Sequence, residues 1–195
     1  MTVHDCAGWF GKIPSTGDFI TRGLPPSFLE PWDQWLSSEL SQAQRSLGDL
    51  WAASYRRAPP SCFALGEKVI DARVWSGVLV PSFDRVGREF PLTLAFGSAA
   101  RVIAAGREWW TQLAAIGRAA AAPAGSAALL SQGLAGLIAF RGERETGNAA
   151  SESIVSVPGE GLSRWWSEEE DRSGDPWMTE GLPMGAQFLD LLAPR

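Results

Sequence analysis

The chain has 195 residues, carries a net charge of −5 with its single histidine neutral, and contains ten Trp and nine Phe. This length allows one domain with a sizeable core, and the acidic balance lacks the clustered basic residues of a nucleic-acid-binding protein. No segment approaches the roughly 18 to 20 consecutive apolar residues of a membrane span. The first residues also lack the basic-then-apolar pattern of a secretion signal, so we expect a soluble cytoplasmic protein.

The first predicted helix follows a Pro-Pro step. Ser27 and Glu30 have the spacing of a capping box, and Pro31 would then fall in the first turn, where its missing N–H costs little. Apolar residues recur every three or four positions over Phe28–Leu47, which predicts one apolar stripe along the helix. Gly48 is expected to end the helix.

A short helix over Leu50–Tyr55 is predicted next, ended by the two prolines that follow it. Short apolar runs then predict three strands, at Ser61–Leu65, Trp75–Val80 and Leu92–Phe96. The segment Pro81–Pro91, between the last two runs, is too long and too charged for a tight hairpin. It predicts an ordered loop.

The second half of the chain alternates helical and extended patterns. Ala104–Ala122 predicts an Ala-rich helix, and Ser126 is placed to cap another helix that continues through Ile138. Glycines among charges predict a mobile loop at Phe140–Glu152. The remaining predictions are a strand at Ile154–Val157, a helix or strand edge at Leu162–Trp166, an acidic turn at Glu168–Ser173, a strand at Trp177-Met178 and a helix at Met184–Leu192. Helices interleaved with strands predict an α/β layered domain.

The block Gly8–Pro26 combines several glycines with one lysine, Lys12, which suggests a phosphate-binding loop. A Walker loop, however, needs Ser or Thr directly after its Gly-Lys pair, whereas Ile13 follows here, and Asp18 would repel phosphate. We therefore favour a shaped loop whose glycines adopt special backbone conformations. Its aromatic residues are expected to pack inward: Trp9, Phe10 and Phe19.

Charged residues of this block and of the block Trp75–Phe96 could form a catalytic group, a partner-binding surface or a structural ion network. They are Asp18, Arg22, Asp84, Arg85, Arg88 and Glu89. No nucleophile with a neighbouring base is visible, and the only histidine, His4, lies near the N-terminus. We favour an ion network that joins the two blocks, with Arg side chains holding carboxylates and carbonyls, ahead of partner contact and well ahead of catalysis.

The cysteines and the paired tryptophans give weaker indications. Cys6 and Cys62 have neither zinc-site nor C-x-x-C spacing and are expected to be reduced, with a disulfide as the alternative. Trp109-Trp110 and Trp165-Trp166 place adjacent rings on different faces. For each pair we favour full burial over one exposed ring that anchors an interface.

Several short motifs in the two blocks have a specific order and spacing. The first block contains Gly8-Trp9-Phe10-Gly11-Lys12, Pro14, Gly17-Asp18-Phe19 and Arg22-Gly23-Leu24-Pro25. The second contains Trp75-Ser76-Gly77-Val78, Pro81-Ser82, Asp84-Arg85-Val86-Gly87-Arg88 and Phe90-Pro91-Leu92. Together they resemble the TagF family, the type VI secretion-associated proteins of Gram-negative bacteria. The closing segment, with Trp165-Trp166 and Gly181-Leu182-Pro183, also resembles this family.

The resemblance implies a single TagF-like domain over residues 1–195, with a variable region around residues 118–160. The implied fold is a three-layer α/β/α sandwich with a mixed sheet flanked by helices. The implied function is that of a non-enzymatic post-translational repressor of type VI secretion, which needs no cofactor and binds and sequesters a forkhead-associated scaffold protein. Some family members carry a fused phosphatase domain; we expect none here and do not carry that activity over.

Eight residues of the two blocks are the candidates for partner binding or for shaping the loops: Trp9, Lys12, Asp18, Arg22, Ser82, Asp84, Arg85 and Arg88. No catalytic, cofactor-binding or metal-binding residue is assigned, and neither a nucleic-acid partner nor a membrane span is expected. The alternatives to a repressor are a structural or assembly subunit of the secretion machine and an enzyme acting on a phosphate ligand.

Overall fold

The computed structural model describes residues 5–99, 106–146, 156–168 and 176–192. Within these ranges the strands are β1 (Cys6–Gly11), β2 (Ile20–Arg22), β3 (Ser61–Leu65), β4 (Val74–Val80), β5 (Leu92–Ser98), β6 (Leu162–Ser167) and β7 (Trp177–Glu180). The α-helices are α1 (Pro26–Leu47), α2 (Trp51–Arg57), α3 (Arg107–Ala121), α4 (Ala127–Thr146) and α5 (Ala186–Leu192), and a 3-10 turn at Gly48–Leu50 joins α1 to α2.

The named strands form one sheet in the order β2-β1-β5-β4-β3-β6-β7. Every pairing between them is antiparallel, so the mixed sheet expected from the sequence is not what the described strands form. The connections explain this difference, because β3, β4 and β5 follow one another through loops, without a crossover helix. Antiparallel neighbours can be joined by such returns, whereas parallel neighbours need a long crossover.

Alternation along the strands divides the core between the two faces of the sheet. In β4, Val78 and Val80 belong to a cluster that contains apolar residues of α3 and α4. Trp75 and Leu79 of the same strand belong to a second cluster, which contains residues of α1, α2 and α5. Side chains of successive strand residues point to opposite faces, so a strand whose residues are all buried must be covered on both. The predicted α/β class is confirmed.

Trp32 lies at the centre of the second cluster. Its ring centroid is 4.9 Å from that of Phe28 and 5.1 Å from that of Phe63. Its indole N–H donates a hydrogen bond of 2.8 Å to the hydroxyl of Thr93 on β5. The fully buried ring therefore supplies a large apolar area and also satisfies its one polar atom.

The start of α1 differs from the prediction. The helix begins at Pro26, its N-cap is Pro25, and no side chain caps it. The hydroxyl of Ser27 donates to a carboxylate oxygen of Asp71 at 2.9 Å, so the capping-box prediction is wrong. Pro26 supplies a preset φ at the first helical position, which places Pro31 inside the helix, beyond its first turn. The predicted end of the helix at Gly48 is confirmed, since this residue is the C-cap with φ of 51°.

The second half of the chain confirms some predictions and corrects others. Ser126 accepts a hydrogen bond from the Leu129 N–H, as expected of a cap, but α4 continues to Thr146. Residues 140–146 are therefore helical, and the loop predicted there is wrong, because a glycine inside a helix costs only about 1 kcal/mol. Leu162–Trp166 lies in a strand, and residues 156–157 do not. The predictions for 147–152, 154–155 and 169–173 lie outside the described residues.

The paired tryptophans and the cysteines are placed as follows. Trp109 and Trp110 are both buried, which confirms the favoured prediction for that pair. Trp165 is fully buried, while Trp166 is half-buried. Cys6 and Cys62 are free thiols, and burial raises the pKa of Cys62 well above its ordinary value. No helix in the described part of the chain is both long and apolar enough to cross a membrane.

Replacing Gly77 by Ala tests how tightly the sheet is packed. A Cβ at this position would lie 2.2 Å from the carbonyl oxygen of Leu94 and 2.5 Å from the ring of Phe63. We expect Gly77→Ala to lower the free energy of unfolding by about 2 kcal/mol, because this contact requires the backbone to shift. Chemical denaturation measures the difference.

The matched control is Gly136→Ala in α4, where an added Cβ would meet nothing within 4 Å. This change should raise the free energy of unfolding by about 0.5–1 kcal/mol, because Gly is a poorer helix former than Ala. Equal effects of the two substitutions would contradict the close packing of β4 against β5.

Candidate functional site

The two sequence blocks meet at one end of the sheet. Loop 1, residues 12–19, connects β1 to β2, and loop 2, residues 81–91, connects β4 to β5. Because β1 and β4 both pair with β5, the two loops leave the sheet at the same end. Part of the first block, up to Gly11, is a strand that the sequence analysis had described as loop.

Gly11 allows the closest approach between the blocks. It has φ of 140°, and a Cβ there would lie 2.2 Å from the carbonyl oxygen of Pro91. A side chain would therefore separate the end of β1 from the end of loop 2. This contact gives a physical reason for glycine at the position.

Hydrogen bonds then join the two loops along their length. The hydroxyl of Ser82 donates to the carbonyl of Lys12 at 2.7 Å. The Arg85 N–H donates to the carbonyl of Thr16 at 2.8 Å. The guanidinium of Arg88 donates to the carbonyl of Gly17 at 2.8 Å. The predicted contact between the blocks is confirmed.

Asp84 is the charged centre of this arrangement, and its side chain has no solvent exposure. One carboxylate oxygen lies 3.1 Å from the Lys12 ammonium and 2.6 Å from the Arg88 Nε. The other accepts the N–H groups of Val86 at 3.1 Å and Arg88 at 2.9 Å. Burial alone would raise the pKa of Asp84. Hydrogen bonds from the Arg88 backbone and guanidinium and from Lys12 outweigh that effect and hold the pKa well below its ordinary range.

Helix α2 also contacts loop 2, through hydrogen bonds and one ion pair. The Tyr55 hydroxyl donates to the carbonyl of Ser82 and accepts from its N–H, both at 3.0 Å. The Trp51 indole donates to Glu89 at 2.6 Å, and Arg56 pairs with the same carboxylate at 3.3 Å. Trp51, Tyr55 and Arg56 were not predicted to contact loop 2, because the sequence of α2 shows only an apolar helical pattern and no link to the second block.

An aromatic cluster supports loop 1. Phe19 stacks on Phe10 with ring centroids 5.6 Å apart and meets Phe90 edge-on at 4.8 Å. The Lys12 ammonium lies 5.0 Å from the Phe19 centroid. Trp9 and Phe10 are buried, as predicted, but Phe19 is 45% exposed, so its predicted inward packing is wrong. Phe19 packs against both Phe10 and Phe90, and the rest of its side chain is exposed to solvent.

The remaining candidate residues lie outside the buried network. Arg22 stacks on Trp9 at 5.7 Å from the ring centroid, and its guanidinium donates to Ser131 of α4 at 3.1 Å. Asp18 is exposed, and its carboxylate accepts the N–H of Phe19 at 2.8 Å. Arg85 is also exposed. No side-chain ion pair with another described residue is found for Asp18, Arg22 or Arg85.

The predicted ion network is thus confirmed only for Asp84, Arg88 and Glu89. Lys12, which was not predicted to belong to it, pairs with Asp84, and Glu89 pairs with Arg56 of α2. Two donors occupy each oxygen of Asp84. A carboxylate so engaged is stabilised in its ionised form and shapes the loop. This geometry gives Asp84 a structural role and leaves it no free oxygen to accept a proton from a substrate.

These features define a class: an α/β domain in which helices cover an antiparallel sheet and two interlocked loops close one end of it. Residues 8–137 match the family described as the TagF N-terminal domain, type VI secretion system-associated. The match covers more than half of the chain and includes both loops, α1 and α2. The chain belongs to the TagF N-terminal domain family, as the resemblance of its motifs predicted.

A solved structure supports the same assignment. The crystal structure of PA0076 from Pseudomonas aeruginosa PAO1 is similar, with a TM-score of 0.74 and 27% sequence identity. The alignment covers 97% of this chain and 94% of that one, so the similarity extends beyond the residues of the family match. No curated protein matches the chain.

Removing the charge of Asp84 should loosen both loops. We expect Asp84→Asn to lower the free energy of unfolding by about 3 kcal/mol, because it leaves the covered Lys12 ammonium without its counter-charge. The double variant Lys12→Met with Asp84→Asn should lose less than the sum of the single losses. Denaturation of the four proteins measures this coupling, and additive losses would show that the pair does not interact.

The pH dependence of the free energy of unfolding in the acid range is a separate test of the Asp84 environment. Its pKa is lowered by folding from the ordinary value of 3.8, so the unfolded chain binds more protons in the window below that value. The stabilisation is fully present above the ordinary pKa and is lost as the pH falls towards the folded pKa. Asp84→Asn should therefore flatten this part of the stability curve. An unchanged slope in the variant would contradict the lowered pKa.

Proposed function

We propose that this protein is a non-enzymatic accessory protein of the type VI secretion system, located in the cytoplasm. In this proposal it acts as a post-translational repressor by binding and sequestering a forkhead-associated scaffold protein. Family membership supports the association with type VI secretion. We also propose that the two helical faces and the sheet form a three-layer α/β/α sandwich, because each face has its own apolar cluster.

The observation that carries the binding function is the locked pair of loops. The buried Asp84 carboxylate fixes the turn of loop 2. Ser82 and Arg88 donate hydrogen bonds to backbone carbonyls of loop 1, and Tyr55 of α2 donates one to loop 2. The exposed side chains of the two loops include Asp18, Phe19, Arg85 and Val86. A surface that is ordered before binding loses little conformational entropy when a partner arrives, which favours macromolecular recognition.

Sequestration follows from binding alone. A protein without chemistry can shift a partner only towards the state it binds better. If it binds the free scaffold and excludes the form that promotes assembly, secretion falls as the occupied fraction of scaffold rises. The proposal therefore requires a purified scaffold to bind the folded domain directly, with no third component.

A deletion strain and a direct binding measurement test this proposal together. Deleting the gene should raise type VI secretion, as measured by the amount of secreted tube protein in the culture supernatant, and restoring the gene should lower it again. The tagged protein should also retain purified scaffold. Unchanged secretion in the deletion strain together with no retained scaffold would overturn the proposal.

The enzyme alternative predicts a different outcome. Purified protein would convert a phosphorylated or nucleotide ligand, and Asp18→Asn would abolish that turnover without changing the melting temperature. Asp18 is exposed, and within the described ranges its carboxylate is hydrogen-bonded only to the backbone of Phe19. Turnover of this kind would show that the protein does more than bind a partner. Co-fractionation with assembled sheath or baseplate would instead favour a structural subunit.

A further inference from the structure

Charge is distributed unevenly at the loop end of the molecule. Asp84 is fully buried and Glu89 is mostly buried, whereas the side chains of Arg88 and Arg56 are 61% and 57% exposed. Arg85 is exposed as well. These two anions therefore lie beneath the surface and the three cations lie on it, so this end presents positive charge on a chain whose net charge is −5.

Asp18 is the exposed acid within loops 1 and 2, and it does not neutralise this surface. One of its oxygens is engaged by the neighbouring Phe19 N–H, and it forms no ion pair with any described residue. Three exposed arginines, Arg56, Arg85 and Arg88, thus face solvent against this one exposed carboxylate. Two of these arginines also have carboxylate partners beneath them, whereas Arg85 has none in the described part of the chain.

The backbone of Arg85 is fixed, while its guanidinium has no ion-pair partner among the described residues. Its backbone N–H is fixed to the carbonyl of Thr16 at 2.8 Å. Its guanidinium lies over Gly17, because a Cβ added there would be 3.3 Å from a terminal guanidinium nitrogen. No hydrogen bond or ion pair joins that guanidinium to any described side chain. A guanidinium presents five N–H donors in a planar fork that fits a carboxylate.

Two exposed apolar side chains belong to the same two loops as this cation. Val86 is 70% exposed, and Phe19, anchored by Phe10 and Phe90, is 45% exposed. Val86 is held at its position because its N–H donates to Asp84. A free small anion would make no use of these groups, whereas a peptide segment with both acidic and apolar side chains would use them together with Arg85.

We propose that Arg85, Val86 and Phe19 form a docking surface for an acidic segment of a protein partner. A carboxylate of that segment pairs with Arg85, and a neighbouring apolar side chain packs on Val86 and the exposed part of Phe19. The inference rests on the proposed function, since it assigns a chemistry to the scaffold surface that this domain would bind. It divides the two loops into buried groups that hold the shape and exposed groups that contact the partner.

This division makes the inference testable without unfolding the protein. The side chain of Arg85 stabilises nothing else that is described, while the turn beneath it is fixed by Asp84. Arg85→Glu should therefore leave the melting temperature unchanged. Arg164→Glu in β6 is the charge control, because it makes the same change of charge on a strand four places from β1 in the sheet.

The first measurement is titration calorimetry of purified scaffold against the wild type and these variants. We expect Arg85→Glu to raise the Kd at least about tenfold, Arg85→Lys to raise it less, and Arg164→Glu to leave it unchanged. Raising the salt concentration should weaken wild-type binding more than it weakens binding by Arg85→Glu, since salt screens exposed charges. If the wild type binds and Arg85→Glu matches Arg164→Glu, the docking surface is wrong while the proposed function stands.

The second measurement does not depend on the scaffold. Isotope-labelled protein is titrated with a short peptide in which Glu alternates with Leu, with the corresponding Lys–Leu peptide, and with inorganic phosphate. The Glu–Leu peptide should shift the amide signals of residues 85–88 in the wild type and not in Arg85→Glu. Such shifts without any scaffold binding would support the docking surface and remove the scaffold as its partner. No shift, or a larger shift with phosphate, would overturn the inference.

Discussion

The ionised carboxylate of Asp84 is the point on which the loop end of the molecule depends. It lies fully buried between a cation of loop 1, Lys12, and a cation of its own loop, Arg88, and it also accepts two backbone N–H groups. A buried charge is stable only when its hydrogen-bonding capacity is filled, and here four donors fill it. The same contacts fix the turn of loop 2 and join it to loop 1, so one side chain determines the shape of both.

The strand order of the sheet brings loops 1 and 2 into contact. Strands β1 and β4 flank β5, which brings two loops far apart in the sequence to the same end of the sheet. Gly11 then allows the end of β1 to approach Pro91, and Tyr55 of α2 supports loop 2 through Ser82. The buried half of the loop pair is thus set by the fold. Its exposed half is free to differ in chemistry without a cost in stability, and this is the physical basis for separating shape from recognition.

The sequence predicted the parts of the fold that local pattern determines. The strand Ser61–Leu65 and the break at Gly48 match the structure, because apolar runs with sharp borders and glycine C-caps are local signals. The antiparallel order of the sheet depends on long-range pairing and could not be predicted. In the site, the contact between the blocks and the role of Asp84 were predicted. The exposure of Phe19 and the support from α2 were not, since both depend on tertiary packing that no local spacing records.

Hydrogen exchange on the domain, with and without purified forkhead-associated scaffold, tests the central claim most directly. The claim is that the two loops, locked together from within, are the surface that grips the partner. It predicts slower exchange at residues 16–19 and 85–88 when the scaffold is added, with α3 and α4 unaffected. Protection confined to α3 and α4, with unchanged exchange in both loops, would contradict it.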